Sequence, residues 1–232
     1  VSWLVASAER TDVATVRDGA PALWRELRRF NAPIQLAVAA AHEVATAARA
    51  PAEAALVSLA PCQAGSPELH RWVRDIEAGG AVKMNPTHTL HAVDNLALSV
   101  LSIALGNHAW GISLGGAPGM LWVGLELVGE RPEHELLLLA GDQEAGERVS
   151  PASGVALLFS REPAPYAPLG RSIKLVAIER MRTAATVTPH AADGARAMLA
   201  ALQAQPSGRL AYRVPVQHGD GVDDITIVWE VE

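Results

Sequence analysis

Apolar positions along this chain switch between two spacings. Residues 2–8, SWLVASA, and 54–60, AALVSLA, are short, nearly unbroken apolar runs, the second suited to a strand covered on both faces. After a polar link, Ile34, Ala37, Val38, Ala41, Val44, Ala45 and Ala48 recur at three- and four-residue intervals, while His42 and Glu43 fall off the stripe. Asn31 can cap this helix, with Pro33 in its first turn. SPELHRWVRDIEAGG carries its own punctuation, Ser66 and Pro67 at the start and Gly79-Gly80 at the stop, with Leu69, Trp72, Val73 and Ile76 as its buried face.

A cap-like start at residues 85–87 opens a further helix with Leu90, Val93, Leu96, Ala97, Val100, Ile103 and Ala104 inward, ending at Gly106. HAWGISLGGAPGMLWVGLELVG, residues 108–129, then reads as a strand, a glycine-rich turn and a buried helix. Strands are expected over 134–142, 154–160 and 172–181, and a helix over 188–205 with Thr188 as cap and Pro189 after it. RLAYRVPVQ and DDITIVWEV flank HGDGV as a β-hairpin. Strands and helices alternate through most of the chain, so the pattern predicts a layered α/β fold, read as one domain over 1–232.

Composition fits a globular chain of 232 residues, 50% hydrophobic and 19% charged, long enough to bury roughly 70% of its unfolded surface. Aromatics are only 4%, so the core falls to Ala, Val and Leu. A formal net charge of −6 argues against a general nucleic-acid binder. The one compact basic cluster, RELRRF, is expected at a helix start, either as a solvated face or as a docking site for an acidic carrier protein or a phosphate. With Cys62 as the single cysteine, no internal disulfide or cysteine-based metal site can form. No basic leader is evident, and the longest apolar stretch, 96–114, is broken by Asn107 and His108. A soluble, cytoplasmic protein without membrane or nucleic-acid partners is the expectation.

The strand–turn–helix suits a nucleophile whose anion a helix N-terminus would stabilise. Yet the turn, Gly115-Gly116-Ala117-Pro118-Gly119, contains no reactive side chain. Ser113 lies two residues upstream within the strand pattern, and Cys62 follows a strand with no helix start directly at it; each reads as packing or as a nucleophile. His88, His91 and Asp94 share helical spacing without an identifiable distant ligand. HGDGVDD lacks the alternation and closing Glu of a calcium loop, and GGAPG lacks the Lys-Ser/Thr of a phosphate loop.

Four stretches together resemble the β-ketoacyl synthase N-terminal-like family, short relatives of the first half of thiolase-fold condensing enzymes. ELRRFNAPIQLAVAAAHEVA resembles its arginine run and small apolar helix, and AALVSLAPCQAGSPELHRWVRDIEAG its second strand, loop and helix. MNPTHTLHAVDNLALSVLSIALGN resembles its most distinctive segment, with Asp94 where the family commonly has His before Asn. The segment from His108 resembles the dimer strand and nucleophile helix. The likeness is clearest over 23–142, and it places Ala117, within one position, where a condensing enzyme has its cysteine.

The resemblance implies a thiolase-like layered fold, half of a condensing enzyme, with a mixed sheet and packed helices. It also implies a non-catalytic, chain-length-factor-like subunit, without cofactor or metal, that pairs with an active β-ketoacyl synthase in fatty-acid or polyketide-type (aryl polyene-like) biosynthesis. On that reading Ala109, Trp110, Gly111, Ile112, Ser113 and Leu114 form the dimer interface. His91, Asp94 and Asn95 line an acyl pocket, and Arg25, Arg28 and Arg29 dock an acyl carrier protein. The alternatives are a homodimer that binds an acyl group or carrier, and an acyl hydrolase or transferase using Ser113 or Cys62.

Overall fold

The computed structural model describes residues 2–49, 54–59, 67–80, 95–114, 120–131, 134–142, 152–167, 169–183, 191–218 and 221–232. The strands are β1 (Ser2–Arg10), β2 (Ala55–Leu59), β3 (Gly111–Leu114), β4 (Leu136–Asp142), β5 (Ser153–Ser160), β6 (Pro165–Tyr166), β7 (Arg171–Thr183), β8 (Gly208–His218) and β9 (Gly221–Val231). The helices are α1 (Val13–Gly19), α2 (Pro21–Leu27), α3 (Ala32–Ala47), α4 (Pro67–Gly79), α5 (Leu96–Leu105), α6 (Met120–Glu130) and α7 (Ala191–Ala204). One sheet runs in the order β3-β2-β4-β5-β1-β7-β9-β8, with β6 paired to β7 beside it. β3, β2 and β4 are parallel, and every other neighbouring pair is antiparallel, so the sheet is mixed as expected.

Period two sorts the apolar residues of β4 onto both faces. Leu137 and Leu139 meet α3 and α5, whereas Leu136, Leu138 and Ala140 meet α6 and α7. β2 is buried throughout, which is why its sequence does not alternate. α3 is enclosed almost all round, from Pro33 to Ala41 without a break, rather than along one stripe. Its small residues allow backbone approach to the sheet: a Cβ on Gly154 of β5 would lie 2.3 Å from the Leu36 carbonyl carbon. Asn31 caps α3 as its sequence implies, accepting from the Ile34 N–H at 3.3 Å. Buried Gln35 donates to the Leu27 and Phe30 carbonyls at 3.2 and 2.7 Å, satisfying its amide and the preceding chain end together.

Adjacent residues pin the end of β1 to both helical layers: Glu9 pairs with Arg196 of α7, and Arg10 with Glu43 of α3. At the far end of α7, Arg171 donates to the Gln203 carbonyl, one of the last that the helix leaves without an internal donor, and to the Pro206 carbonyl just beyond it. Among the described residues, no helix is long and apolar enough to cross a membrane.

The structure corrects four expectations. The polar link after β1 holds two short helices, α1 and α2; α1 is started by the Asp12 carboxylate, which accepts from the Ala14 N–H at 2.9 Å. The arginine cluster therefore follows a helix instead of opening one: Arg25 is in the last turn of α2 and Arg28 is its C-cap, where positive charge suits the helix dipole. Asn31 starts α3 so soon afterwards that α2 has to end there. Third, the expected buried face of α4 is only partly covered: Val73 and Ile76 are 41% and 37% exposed and Trp72 is half-buried, while the Leu69 side chain lies outside what is described. Amphipathic spacing identifies an apolar side but not what lies against it. Ile103 fails similarly, 82% exposed, because α5 buries the arc around Leu96, Ala97, Val100 and Leu101 and Ile103 sits at its margin in the last turn.

Between α6 and β7, beside Ser2, lies a groove of about 430 Å³ flanked by Glu126 and Glu130. Partial burial holds the Glu126 carboxyl above the usual carboxylate range, the Glu130 charge adds to this, and Arg180 opposes it. A carboxyl that is harder to ionise in the folded state binds more protons there, so its contribution to stability falls as pH rises through the carboxylate range. Glu126→Gln is expected to gain on the wild type at about pH 7 relative to the difference at about pH 3, by about 0.5 kcal/mol at most because solvent screens this exposed carboxyl. Urea denaturation at the two pH values checks it, and equal differences at both would refute it.

Candidate partner-binding edge

β3 pairs with β2 in register, Leu56 opposite Gly111 through Leu59 opposite Leu114, and among the described residues nothing pairs on its other side. Gly111 is exposed, and Ile112, Ser113 and Leu114 are half-buried. The strand enters this position through a tied-down corner. Gly106 ends α5 with φ of 59°, a left-handed conformation that favours glycine. Asn107, 2% exposed, donates to the Ala54 carbonyl at 2.9 Å and accepts from the Ala109 N–H at 2.8 Å, while Ser102 donates to the Asn107 carbonyl at 2.6 Å. Leu98 of α5 closes over Gly111, where a Cβ would come within 3.2 Å of it. On the α6 side, Trp110, Ile112, Leu114, Trp122 and Leu127 are partly buried against the core. The guanidinium carbon of Arg131, just past the end of α6, lies over the Trp110 ring, 4.0 Å from its centre.

The other open edges are built differently. The outer edge of β8 carries Arg209, Arg213 and Pro215. β7 runs beyond the end of its pairing with β1 at Leu175, and there it has a bulge next to Val176 followed by exposed Glu179 and Arg180. Charges, proline and bulges are what keep an edge from pairing with another chain. GISL in β3 has none of them.

Asn95 is exposed and precedes α5 without a side-chain cap bond. Arg25, Arg28 and Arg29 are all exposed, with the Arg29 guanidinium 5.0 Å from the Phe30 ring centre. Ser113 stands opposite Ser58, whose buried hydroxyl has no hydrogen-bond partner among the described residues. Gly115 through Gly119, Cys62, His88, His91 and Asp94 lie outside the described residues. Among the described residues, no three His, Cys, Asp or Glu side chains gather as a metal site would need. Sequence reasoning missed Asn107, seen only as an interruption, and the Arg131–Trp110 contact, whose members stand far apart in the chain.

No family model and no curated protein matches this sequence. Solved structures do. A chain of the ishigamide ketosynthase/chain length factor superposes with a TM-score of 0.66 at 12% identity, over 98% of both chains. A chain of the ketosynthase ApeO in complex with its chain length factor ApeC, from Xenorhabdus doucetiae, gives 0.54 at 15%, over 88% of this chain and 79% of that one. The AntDE:AntF complex, a type II polyketide synthase acyl-carrier protein with its ketosynthase, gives 0.54 at 12%, over 87% and 74%. The chain has the thiolase-like condensing-enzyme fold. The layered α/β architecture expected from its sequence is the one observed, and the thiolase-like likeness extends well past residue 142, where the sequence resemblance thins.

Proposed function

We propose that this chain, as one thiolase-like domain, is a non-catalytic ketosynthase-like subunit that pairs along β3 with an active β-ketoacyl synthase. Its role is that of a chain length factor in cytoplasmic fatty-acid or polyketide-type biosynthesis, of the aryl polyene kind. The observation that carries this is the unguarded edge: of the open strand edges described, β3 alone has no charge, proline or bulge against pairing. The turn that follows supports it, because residues 115–119 offer no thiol or hydroxyl to hold an acyl group. Two copies of this chain would bring together two such turns, so the condensing nucleophile belongs to the partner. His91, Asp94 and Asn95 are assigned to the acyl pocket. Exposed Arg25, Arg28 and Arg29 are assigned to docking of an acyl carrier protein, an acidic surface that a solvated arginine cluster complements.

Purification of the tagged chain from its native host, with mass spectrometry of the eluate, tests the reading. A stoichiometric ketosynthase, together with no acyl adduct on this chain after incubation with acyl-thioester donors, is expected. Recovery of the chain alone at dimer mass, or an adduct on Ser113 or Cys62, would replace the proposal with a homodimeric binder or an acyltransferase.

A further inference from the structure

A partly buried cation that forms no ion pair among the described residues, at the end of a strand with one edge unpaired among them, needs a physical account. Arg131 is half-buried, and its guanidinium carbon lies over the Trp110 ring, 4.0 Å from the ring centre, one residue before β3 begins. Among the described residues no carboxylate pairs with it and no group accepts a hydrogen bond from its guanidinium. Its backbone N–H accounts for one more contact, donating to the Leu127 carbonyl at 3.2 Å at the end of α6. Contact with the ring holds the guanidinium in place and leaves its donors unused, so less rotamer freedom remains to be lost on binding. Trp and Arg together are also the residue types that dominate interface energetics.

We propose that Arg131, held on Trp110, receives a carboxylate of the chain that pairs along β3. This rests on the reading of β3 as the partner edge. The partner then presents an aspartate, a glutamate or a C-terminal carboxylate beside the strand it adds, and a bidentate pair fixes the register that uncharged GISL leaves loosely specified.

The test measures the dissociation constant of the pair reconstituted from this chain and the ketosynthase recovered with it, for the wild type, Arg131→Gln, Arg131→Lys and Ile112→Asp. Arg131→Gln is expected to weaken pairing about tenfold to a hundredfold, and to flatten its dependence on NaCl between about 50 and about 500 mM. Arg131→Lys keeps the charge but loses the planar fork, and is expected to recover part of the affinity with the salt dependence restored. Unchanged affinity and salt dependence in Arg131→Gln, with pairing abolished by Ile112→Asp, would overturn the carboxylate while leaving β3 as the edge. Pairing that survives Ile112→Asp would overturn the edge and the carboxylate with it. Melting temperatures of the free variants within a few degrees of the wild type separate lost pairing from lost fold.

Discussion

Ile112→Asp is expected to abolish pairing with the partner chain while the isolated protein stays folded. Among the described residues β3 is tied into the sheet by β2 on one side only, so a partner strand would take up the backbone groups of the other side. Pairing would also cover the half-buried Ile112 side chain, which already rests against the core on the α6 side. In the free chain an aspartate there still reaches water, and the loss is part of one side chain's burial, about 1–2 kcal/mol. In the paired state the same carboxylate is enclosed without a counter-charge, at roughly 3–5 kcal/mol, a weakening of about a hundredfold or more. Size-exclusion chromatography with mass photometry reads the pair directly, and thermal melting reads the free chain. A pair that persists at wild-type strength would move the interface elsewhere on the molecule.

How much of this was legible in the sequence depended on whether the determining atoms are close in the chain. Asn31 with Pro33 and the glycines at 79–80 and 106 marked helix ends correctly, because capping and left-handed turns are decided within a few residues. β2 and β4 were legible because strands covered on both faces need continuous apolar runs. α1 and α2 were not, since seven-residue helices show too little period to stand out from a polar link. The apolar residues of α4 and Ile103 were read as core because spacing gives the direction of a face and says nothing of the neighbour. For the site, the empty turn and the GISL strand could be read directly. Missing was what only the fold brings together: Asn107 with Ala54, and Arg131 with Trp110. The guarding of β7 and β8 was likewise invisible until the sheet order showed which strand edges are open.

Gly154→Ala is the substitution expected to cost most in stability, and it shows how tightly the two layers are fitted. The added methyl would lie 2.3 Å from the Leu36 carbonyl carbon and 2.4 Å from the Ala37 nitrogen, both backbone atoms of α3. No rotamer change can relieve such a clash, so the helix has to lift from the sheet. α3 is poorly able to lift. Its residues are buried almost all round, and it makes a second close approach at Gly141, where a Cβ would meet the Pro33 carbonyl oxygen at 2.9 Å. Moving the helix far enough opens gaps along the Ala and Leu contacts it makes with β4 and β5, and the loss is expected to reach about 3 kcal/mol or more. Gly129→Ala is the matched control. Its Cβ would meet nothing within 4 Å, and because it sits in α6 the change is expected to be stabilising by up to about 1 kcal/mol. Urea denaturation of the two variants beside the wild type gives the comparison. A Gly154→Ala chain within 1 kcal/mol of wild type would mean that α3 and β5 can separate at little cost. The small residues of α3 would then have to be explained by something other than backbone contact with the sheet.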